Sequence, residues 1–546
     1  MTAMASYATV IRYHEATVHR FAAYARGPET LDWDAQPAPF RRYEGAPVQA
    51  LPLAAARFEA PFAHLQQPLQ GPIVPPGPEA LGALLQLSFA ISAWKSNDVE
   101  RWALRANPSS GNLHPTEVYV LAHGIAGLAD GVHHYRAEDH ALERRAVWPP
   151  GDGPPGLYLG LSSVIWREAW KYGERAFRYC QLDVGHAVAC VAYAAALLGW
   201  RVEEACLPHA ALARLLGLDR HGDFSAGRRD DVEREEPELL LALRTDPAVP
   251  GDTGAALPAR AEGAAWHGRA SAIDRHPMYR WPIIDEVAAA TAGTVAEPPA
   301  VAVEAGEPVP PLEPAGGEPG AVATILGRRS GQRYDIDGRM PAAAFFHLLD
   351  ATLARPQPPW QTLPDAAHGA LLLFVHRVDG LTPGLYLLLR DAASAAALPA
   401  RLKPEFAAAP RVAGLAHLDL RCLGTVEPAA LRRVARSLCC HQDIAATACF
   451  SLAMLAPFDA LLRADPAQYR ALLRAAGLIG QVLYLEAEAL GYRGTGIGCY
   501  FDDELHALLG LEDRQWQSLY AFAVGVPLLD ARLETTAPYG GRELAA

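Results

Sequence analysis

The stretch that decides the fold is Gly185-His-Ala-Val-Ala-Cys-Val-Ala-Tyr-Ala-Ala-Ala-Leu-Leu-Gly-Trp200. The chain repeats this pattern as Gly477-Leu-Ile-Gly-Gln-Val-Leu-Tyr-Leu-Glu-Ala-Glu-Ala-Leu-Gly-Tyr492, without gaps and at a constant offset of 292 residues (477 against 185). Both stretches are apolar, free of proline and long enough for a buried helix. The repeat indicates an internal duplication, with two α+β units that form a pseudo-dimer within one chain.

The two copies differ as soon as the shared helix ends. In the second copy Arg493 leads into a predicted glycine loop, Gly494-Thr-Gly-Ile-Gly498, where the first copy has Val202-Glu-Glu-Ala-Cys206. The first copy in turn contains Asn107-Pro-Ser-Ser-Gly-Asn112, which has no counterpart in the second. Because each copy has lost what the other keeps, the sequence predicts one composite site.

Composition limits the classes of function. The 546 residues exceed the roughly 250 to 300 residues at which one hydrophobic core stops growing, so two or more domains are expected. The formal charge of −13 argues against nucleic acid or an anionic membrane as a partner. We find no uncharged run long enough to span a membrane, which favours a cytoplasmic protein. The eight cysteines are too few for a disulfide scaffold and lack CxxC spacing, which predicts buried thiols and no metal site.

Four segments are expected along the chain. Residues 1–75 are an N-terminal arm that wraps the body, 76–250 the first unit, 251–320 a linker and 321–546 the second unit. In the linker, Trp266–Ala290 is expected to pack and Glu297–Gly320 to be flexible. The predicted helices are Glu79–Ser92, Cys180–Leu198 and Pro341–Leu353, and the predicted strands are Glu117–Ala122, Ala370–His376, Gly384–Leu389 and Leu519–Val526.

Three short motifs carry polar chemistry. Arg328, Arg329 and Ser330 offer two guanidiniums and a hydroxyl, which suit a phosphate, although a solvated basic helix end is the alternative. The predicted glycine loop allows a ligand to approach the backbone, and a plain helix cap is its alternative. The residues of this loop that are expected to contact a ligand are Gly494, Gly496, Ile497 and Gly498. The third motif is a tight turn that contains Pro108, Ser109, Ser110 and Asn112. Its polar groups suit the edge of a flat heterocycle, and an ordinary turn is the alternative.

In combination and order these motifs resemble the nitroreductase superfamily, and in particular its SagB-type (thiazole/oxazole-forming azoline oxidase) branch. The most specific stretches are Arg105–Glu117, Trp170–Tyr179 and Gly494–Asp503. The resemblance implies two fused FMN-binding α+β units that share their elements, with the flavin at the interface between them. It therefore implies an intrachain pseudo-dimer, which could associate further as a homo-oligomer, and about one FMN per chain.

The resemblance also implies roles for individual residues. Arg328 would bind the FMN phosphate, with Arg329 beside it, and Ser330 would bind ribityl or phosphate oxygens. The next basic family position is Gln332 here, a departure that removes a charge and that Arg333 could replace. The turn with Pro108, Ser109 and Asn112 would reach the isoalloxazine ring across the interface. A late arginine that contacts the phosphate falls on Arg532.

Lys171 and Tyr172 match a lysine-tyrosine pair with which the azoline oxidases take a proton from the substrate. A lysine can act as a base where burial or a nearby cation, such as Arg175, lowers its pKa. The alternative is that Lys171 faces solvent and Tyr172 packs, because adjacent helical residues point in different directions. His186 is expected to be a core histidine, and Trp166 and Trp170 are expected to pack.

The predicted function is an FMN-dependent oxidoreductase that catalyses two-electron oxidation (dehydrogenation) of a heterocycle or a C–N or C–C bond. Its substrate would be small or peptide-derived, and its electrons would return to oxygen. Two alternatives stay open: an NAD(P)H-dependent nitro or quinone reductase, and a non-catalytic flavin-binding scaffold in a modification complex. The fusion argues against azole formation itself, because the resemblance is to single-unit azoline oxidases.

Overall fold

The computed structural model describes residues 3–540 apart from 68–71, 98, 152–153, 225–228, 246–253, 294–317, 364–365, 367 and 414–416. The helices are α1 (Ala3–Ala16), α2 (Pro78–Ser88), α3 (Ile165–Tyr172), α4 (Ala176–Leu197), α5 (His209–Leu216), α6 (Asp230–Glu233), α7 (Leu257–Ala261), α8 (Pro282–Ala290), α9 (Ala321–Gly327), α10 (Ala342–Ala351), α11 (Ala392–Ala397), α12 (Pro404–Ala407), α13 (Pro428–Leu438), α14 (Asp443–Thr447), α15 (Asp459–Ala464), α16 (Gln468–Ala489) and α17 (Asp502–Leu509).

The strands are short, and short 3₁₀ turns lie between several of them. They are β1 (Tyr43–Glu44), β2 (Val48–Ala50), β3 (Ile91–Ser96), β4 (Arg101–Arg105), β5 (Thr116–His123), β6 (Gly131–Arg136), β7 (Ala141–Val147), β8 (Gly156–Ser163), β9 (Arg201–Ala205), β10 (Glu236–Arg244), β11 (Ala265–Trp266), β12 (Arg269–Ala270), β13 (Ala370–Val375), β14 (Gly384–Leu389), β15 (Asp419–Thr425), β16 (Phe450–Pro457), β17 (Arg493–Ile497), β18 (Trp516–Gly525) and β19 (Glu534–Thr536).

The duplication is visible in the sheet topology. The first unit contains strands in the order β7-β6-β5-β8-β10-β9, and the second contains β15-β14-β13-β16-β18-β17. The pairings are antiparallel in both sheets. In each unit the long apolar helix, α4 or α16, lies between the fourth strand and the edge strand in chain order. This confirms the predicted α+β class with two fused units.

Helices α4 and α16 pack against each other at the centre of the molecule, inside one continuous hydrophobic core. The helical stretch Ile165–Leu197 is long and apolar enough to cross a membrane, but 94% of its most apolar window is buried within the protein. Its apolar character is therefore explained by its place in the core, because water reaches neither of its faces.

The two units also exchange elements and charges. Strand β19, near the C-terminus, pairs with β3 of the first unit, with Glu534 opposite Ser96. Arg175 and Arg178, at the start of α4, both pair with the buried carboxylate of Asp502 in the second unit, at 3.0 Å. Buried ion pairs of this kind fix the relative position of their partners, since removal of one partner leaves an uncompensated charge.

Several predicted boundaries change. The helix predicted over Glu79–Ser92 ends at Ser88, because Ile91–Ser96 pairs with β4 as a strand. The segment predicted as a glycine loop is strand β17, which pairs with β18. The arm begins with helix α1, and within the predicted linker α8 packs against α1. The prediction of a flexible Glu297–Gly320 falls almost wholly on residues outside the described part of the chain.

Candidate functional site

A cavity of about 960 Å³ lies where the two units meet. Its wall includes the turn Asn107–Asn112 of the first unit and the segment Arg328–Gln332 of the second. Thr495–Cys499 and the C-terminal stretch Pro527–Ala531 complete the wall. The fold therefore brings the first-unit turn together with the arginines and the β17 segment of the second unit. A volume near the upper end of the usual range for ligand sites, about 300 to 1,000 Å³, can hold a cofactor together with a small substrate.

A group of four cationic side chains lines this cavity, namely Arg328, Arg329, Arg493 and Lys95, and Arg105 lines it as well. Burial and the nearby Arg328 lower the pKa of Arg329 to about 10. Burial, Arg329 and Arg493 also lower the pKa of Lys95. A bound anion would reduce the electrostatic repulsion between these partly buried cations, so this region suits a phosphate.

Arg328 is the most buried of the four, with 4% of its surface exposed. Its Nε donates to the carbonyl oxygen of Ala106 and its Nη2 to that of Arg105, at 3.3 and 3.2 Å. Its Nη1 is buried and finds no hydrogen-bond partner among the described residues. A buried guanidinium nitrogen without a partner costs free energy, and a phosphate oxygen would satisfy it.

Ser330 and Gln332 also line the cavity. The hydroxyl of Ser330 lies 2.9 Å from that of Tyr484, which accepts a hydrogen bond from the Gly496 amide at 2.9 Å. Tyr484 thus connects the arginine segment to β17. Sequence reasoning missed Tyr484, although it stands in the repeat where the first copy has Ala192.

The first-unit turn is held by hydrogen bonds of its own. The Ser109 hydroxyl accepts from the His114 amide at 2.8 Å, and Asn112 Nδ2 donates to the Ala103 carbonyl oxygen at 3.0 Å. Asn112 has a φ of 60°, a conformation that asparagine tolerates better than most residues. With Pro108, these residues present the turn to the cavity.

Asp183 of α4 lies behind this turn and lines the same cavity. It accepts hydrogen bonds from the Ser110 amide and hydroxyl at 3.1 and 2.9 Å. Burial raises the pKa of Asp183 to about 7, against the hydrogen bonds from Ser110 and Ser109. Sequence reasoning missed this residue, although a lone aspartate inside an apolar helix was a signal. A carboxyl group that titrates near neutral pH in a cavity is a candidate proton donor or acceptor.

The glycines of β17 make room for aromatic rings. A Cβ on Gly496 would overlap the Tyr520 hydroxyl, and one on Gly498 would overlap the Tyr179 ring. Gly496, Ile497 and Gly498 line the cavity. Gly494 does not; its carbonyl oxygen accepts from the Gly331 amide at 2.9 Å and so anchors the arginine segment.

The two residues of the predicted proton-transfer pair, Lys171 and Tyr172, differ in their position relative to the cavity. Tyr172 lines the cavity, and burial raises its pKa well above the ordinary value, which keeps the hydroxyl protonated. Lys171 is half-buried beside it, with its ammonium 5.4 Å from the centres of both the Trp33 and the Tyr172 rings, and does not line the cavity. Burial lowers the pKa of Lys171, while nearby Glu168 opposes the shift.

Arg532 and Arg333 lie outside the cavity wall. The side chain of Arg532 is 86% exposed and forms an ion pair with Asp530 at 2.7 Å. Its neighbours Ala531 and Leu533 do line the cavity. A contact between Arg532 and a ligand phosphate would therefore require its side chain to rotate away from Asp530.

The residues expected to pack do so. Trp166 is buried and donates its indole N–H to Asp274 at 2.8 Å, and Trp170 packs edge to face on Trp33. His186 is buried and lies 3.1 Å from the Tyr520 hydroxyl, and it also borders the cavity.

The prediction that the cysteines are buried thiols is wrong for several of them. Cys440 and Cys499 are half-buried and line the cavity, and Cys206 is exposed.

A second cavity of about 260 Å³ lies at the pseudo-symmetric position. Its wall contains Glu204 of β9, at the position that Gly496 holds in β17. Arg470 and Arg474 of α16 also line it, but both pair with the carboxylate of Glu238, at 2.9 and 2.7 Å. This cavity is small and acidic, and both of its arginines are already paired, so it lacks the unpaired positive charge that suits the first cavity to a phosphate.

Comparison with known proteins agrees with this architecture. The Nitroreductase family profile matches residues 325–526, within the second unit. A trifolitoxin-processing protein of Rhizobium leguminosarum is 29% identical over 197 residues, which are 31% of this chain and 51% of that protein. A provisionally assigned nitroreductase of Methanocaldococcus jannaschii is 28% identical over 104 residues, 17% of this chain and 52% of that protein. The chain thus spans about half the length of the curated relatives it matches.

A solved structure extends the fold comparison to both units. A provisionally assigned nitroreductase from Anabaena variabilis superposes with a TM-score of 0.66 at 20% sequence identity. The superposition covers 95% of this chain and 99% of that one, so the fused arrangement of two units recurs there. Family profile, relatives and fold agree with the motifs of the sequence. The second unit therefore carries a Nitroreductase family domain, and the fold of the whole chain is that of two fused nitroreductase-like units.

Proposed function

We propose that this chain is an FMN-dependent oxidoreductase that binds one FMN in the cavity between its units and removes two electrons from a small or peptide-derived substrate. The Nitroreductase family match over residues 325–526 supports an oxidoreductase role and a flavin cofactor. The observation that carries the proposal is the buried Nη1 of Arg328, which has no hydrogen-bond partner among the described residues, in a cavity that the turn of the other unit also lines.

The residues present fit FMN. Arg328, with Arg329, Arg493 and Lys95 around it, would hold the phosphate, and Ser330 would reach the phosphate or ribityl oxygens. Ser109 and Asn112 would stand at the edge of the isoalloxazine ring. When bound, FMN supplies a two-electron acceptor. The acidic second cavity, with both of its arginines already paired, supports a stoichiometry of one.

Oxidation also requires a group that takes a proton from the substrate. Tyr172 and Asp183 are titratable side chains of the first unit that line the cavity. The lowering of the pKa of Lys171 by burial supports a role as a base behind Tyr172. A relative that processes trifolitoxin supports a natural-product substrate. This favours dehydrogenation of a heterocycle or a C–N or C–C bond over reduction of a nitroaromatic or quinone.

The test begins with the cofactor. We expect purified chain to be yellow and to release FMN on heating, at about one per chain by absorbance against protein concentration. A ratio near two, or FAD in place of FMN, would contradict the composite site. The reaction is then tested aerobically with peptides that carry a reduced heterocycle or a C–N or C–C single bond open to dehydrogenation, and the product should be lighter by two hydrogens. Rapid bleaching of the flavin by NAD(P)H under anaerobic conditions, with no change in the peptide, would favour the reductase alternative.

A further inference from the structure

Arg167 connects α3, the helix that carries Lys171 and Tyr172, to the turn of the cavity. Its side chain is buried, and its Nη1 donates to the carbonyl oxygen of His114 at 2.7 Å. The amide of His114 donates in turn to the Ser109 hydroxyl at 2.8 Å. His114 has a φ of 54°, and a residue other than glycine keeps such a conformation only where its surroundings hold it. One strained residue therefore links Arg167 to Ser109 in the cavity wall.

Two further hydrogen bonds hold the guanidinium of Arg167. Its Nε donates to the carbonyl oxygen of Ala38 in the N-terminal arm at 2.8 Å, and its Nη1 also donates to the carboxylate of Glu117 in β5 at 2.6 Å. Tyr172 lies at the other end of the same short helix, and its hydroxyl lies against the turn, where a Cβ on Gly111 would overlap it. The guanidinium therefore fixes the place from which α3 presents the Tyr172 hydroxyl to the cavity.

Glu117 is one end of a buried bridge in which a histidine lies between two glutamates. His134 Nε2 lies 3.0 Å from Glu117, and His134 Nδ1 lies 2.9 Å from Glu143. Each of the three side chains is at most 4% exposed. A carboxylate only accepts hydrogen bonds, so both ring nitrogens donate and the ring is an imidazolium. Burial opposes this charge, but the hydrogen bonds to the two glutamates outweigh it and raise the pKa of His134 to about 9.

The charge of His134 decides whether both glutamates are satisfied. A neutral imidazole has one N–H and can donate to only one of them, so the other buried carboxylate would lose its partner. Because Glu117 binds Arg167 as well, the bridge connects the charge of His134 to the position of α3. Further charged or titratable groups around the bridge are Arg41, Tyr43, Arg105, Tyr119 and Arg136.

We propose that Arg167 is a positioning residue for proton transfer, and that the Glu117–His134–Glu143 bridge holds it in place as long as His134 is charged. None of these four residues lines the cavity, so they act through the position of α3 relative to the turn. The proposal rests on the proposed function for the role of Tyr172. The geometry itself requires neither FMN nor a substrate, so the two proposals can fail separately.

The experiment places 4-fluorophenylalanine at position 172 of the full-length protein and follows its fluorine resonance from about pH 6 to 10. We expect the resonance to shift as the pH rises through about 9, where His134 loses its charge. In Glu143→Gln the shift should occur at lower pH, because the imidazolium has lost one carboxylate. In Arg167→Gln it should disappear. Lys171 stays beside the reporter in every variant, so only a shift that responds to both substitutions comes from the bridge.

Arg229→Gln is the matched control. Arg229 packs over the ring of Trp166 on the same helix but donates its hydrogen bonds to Asp231 and Tyr279, so this variant should keep the pH dependence of the parent. Far-ultraviolet circular dichroism checks that each variant is folded. Should Arg167→Gln fail to fold, the displacement of the shift in Glu143→Gln decides alone.

Kinetics supply a second measurement on protein that retains Tyr172. With a substrate of the proposed oxidation, Arg167→Gln should lower kcat roughly a hundredfold, the cost of misplacing a reacting group by about 1 Å, and leave KM and the FMN content nearly unchanged. A fluorine shift at the same pH in the parent, Glu143→Gln and Arg167→Gln would overturn the positioning role, as would full kcat in Arg167→Gln. The expected fluorine pattern in a protein that oxidises no substrate would support the positioning of α3 and refute the proposed oxidation.

Discussion

Gly185 of α4 and Gly477 of α16 pack directly against each other where the two helices cross. A Cβ on Gly185 would overlap the carbonyl oxygen of Arg474, and a Cβ on Gly477 would overlap that of Leu182. Leu182 and Arg474 stand three residues before the two glycines, so the same contact occurs twice, related by a two-fold operation. The glycines that open the repeated sequence therefore mark the pseudo-symmetry axis of the molecule.

The first prediction concerns this crossing. Gly185→Ala and Gly477→Ala should each destabilise the protein by about 1 to 3 kcal/mol, because the new methyl group meets backbone that cannot rotate away. Urea unfolding followed by circular dichroism measures the loss. Gly222→Ala is the matched control, since a Cβ there meets nothing within 4 Å. If either variant is as stable as the wild type, the close crossing of the two helices is refuted.

The second prediction concerns the phosphate. Arg328→Ala should weaken FMN binding by about 1.5 to 3 kcal/mol, roughly ten- to a hundredfold, because it removes a charged hydrogen bond in a buried position. Fluorescence titration of flavin-free protein measures the affinity. Arg532→Ala tests the role implied by the resemblance, and we expect a smaller loss because its side chain is exposed and paired with Asp530.

Ser109→Ala and Asn112→Ala test the contribution of the other unit to the same site. Both should weaken FMN binding or shift the flavin absorption spectrum, because the turn that they hold lines the same cavity as Arg328. If both variants match the wild type in affinity and spectrum, the first unit does not complete the site.

The third prediction separates proton transfer from cofactor binding. Tyr172→Phe and Lys171→Ala should retain stoichiometric FMN but oxidise the native substrate about a hundred to ten thousand times more slowly, the usual value of general acid-base catalysis. Reduction of a generic quinone, which needs no proton from carbon, should be spared. Equal loss of both activities would indicate a structural role for the pair.

The fourth prediction follows from Asp183. Its pKa of about 7 in the native protein lies above the ordinary value of 3.8, so the native state binds this proton more tightly than the unfolded chain. The stability that it contributes is fully present below about pH 3.8 and is lost as the pH rises through about 7, up to roughly 4 kcal/mol. Asp183→Asn should remove this part of the pH dependence in urea unfolding measured from pH 4 to 8.

Ser110→Ala is the control for this effect. The hydrogen bonds from Ser110 favour the carboxylate, so loss of the hydroxyl should move the decline to higher pH and leave its sign unchanged. Wild type and Asp183→Asn with parallel stability curves across this range would show that Asp183 does not titrate there.

Much of the candidate site was predictable because its chemistry is local in sequence. Arg328 to Ser330 and Pro108 to Asn112 are runs of adjacent residues whose types already match a phosphate and a heterocycle. Asp183 and Tyr484 were missed because each acts with partners far away along the chain. A lone aspartate or tyrosine has no defined environment until packing supplies burial and a hydrogen-bond partner.

The sequence by itself determined the duplication, the fold class and the division of the polar motifs between two copies, because periodicity and residue type are properties of short stretches. It did not determine that the glycine segment is a strand, since pairing with β18 is a long-range contact. Only the tertiary structure decided that Tyr172 enters the cavity while Lys171 stays beside it, and that Arg532 points to solvent. The direction of a side chain depends on which distant elements pack around it, and that information resides in the assembled core.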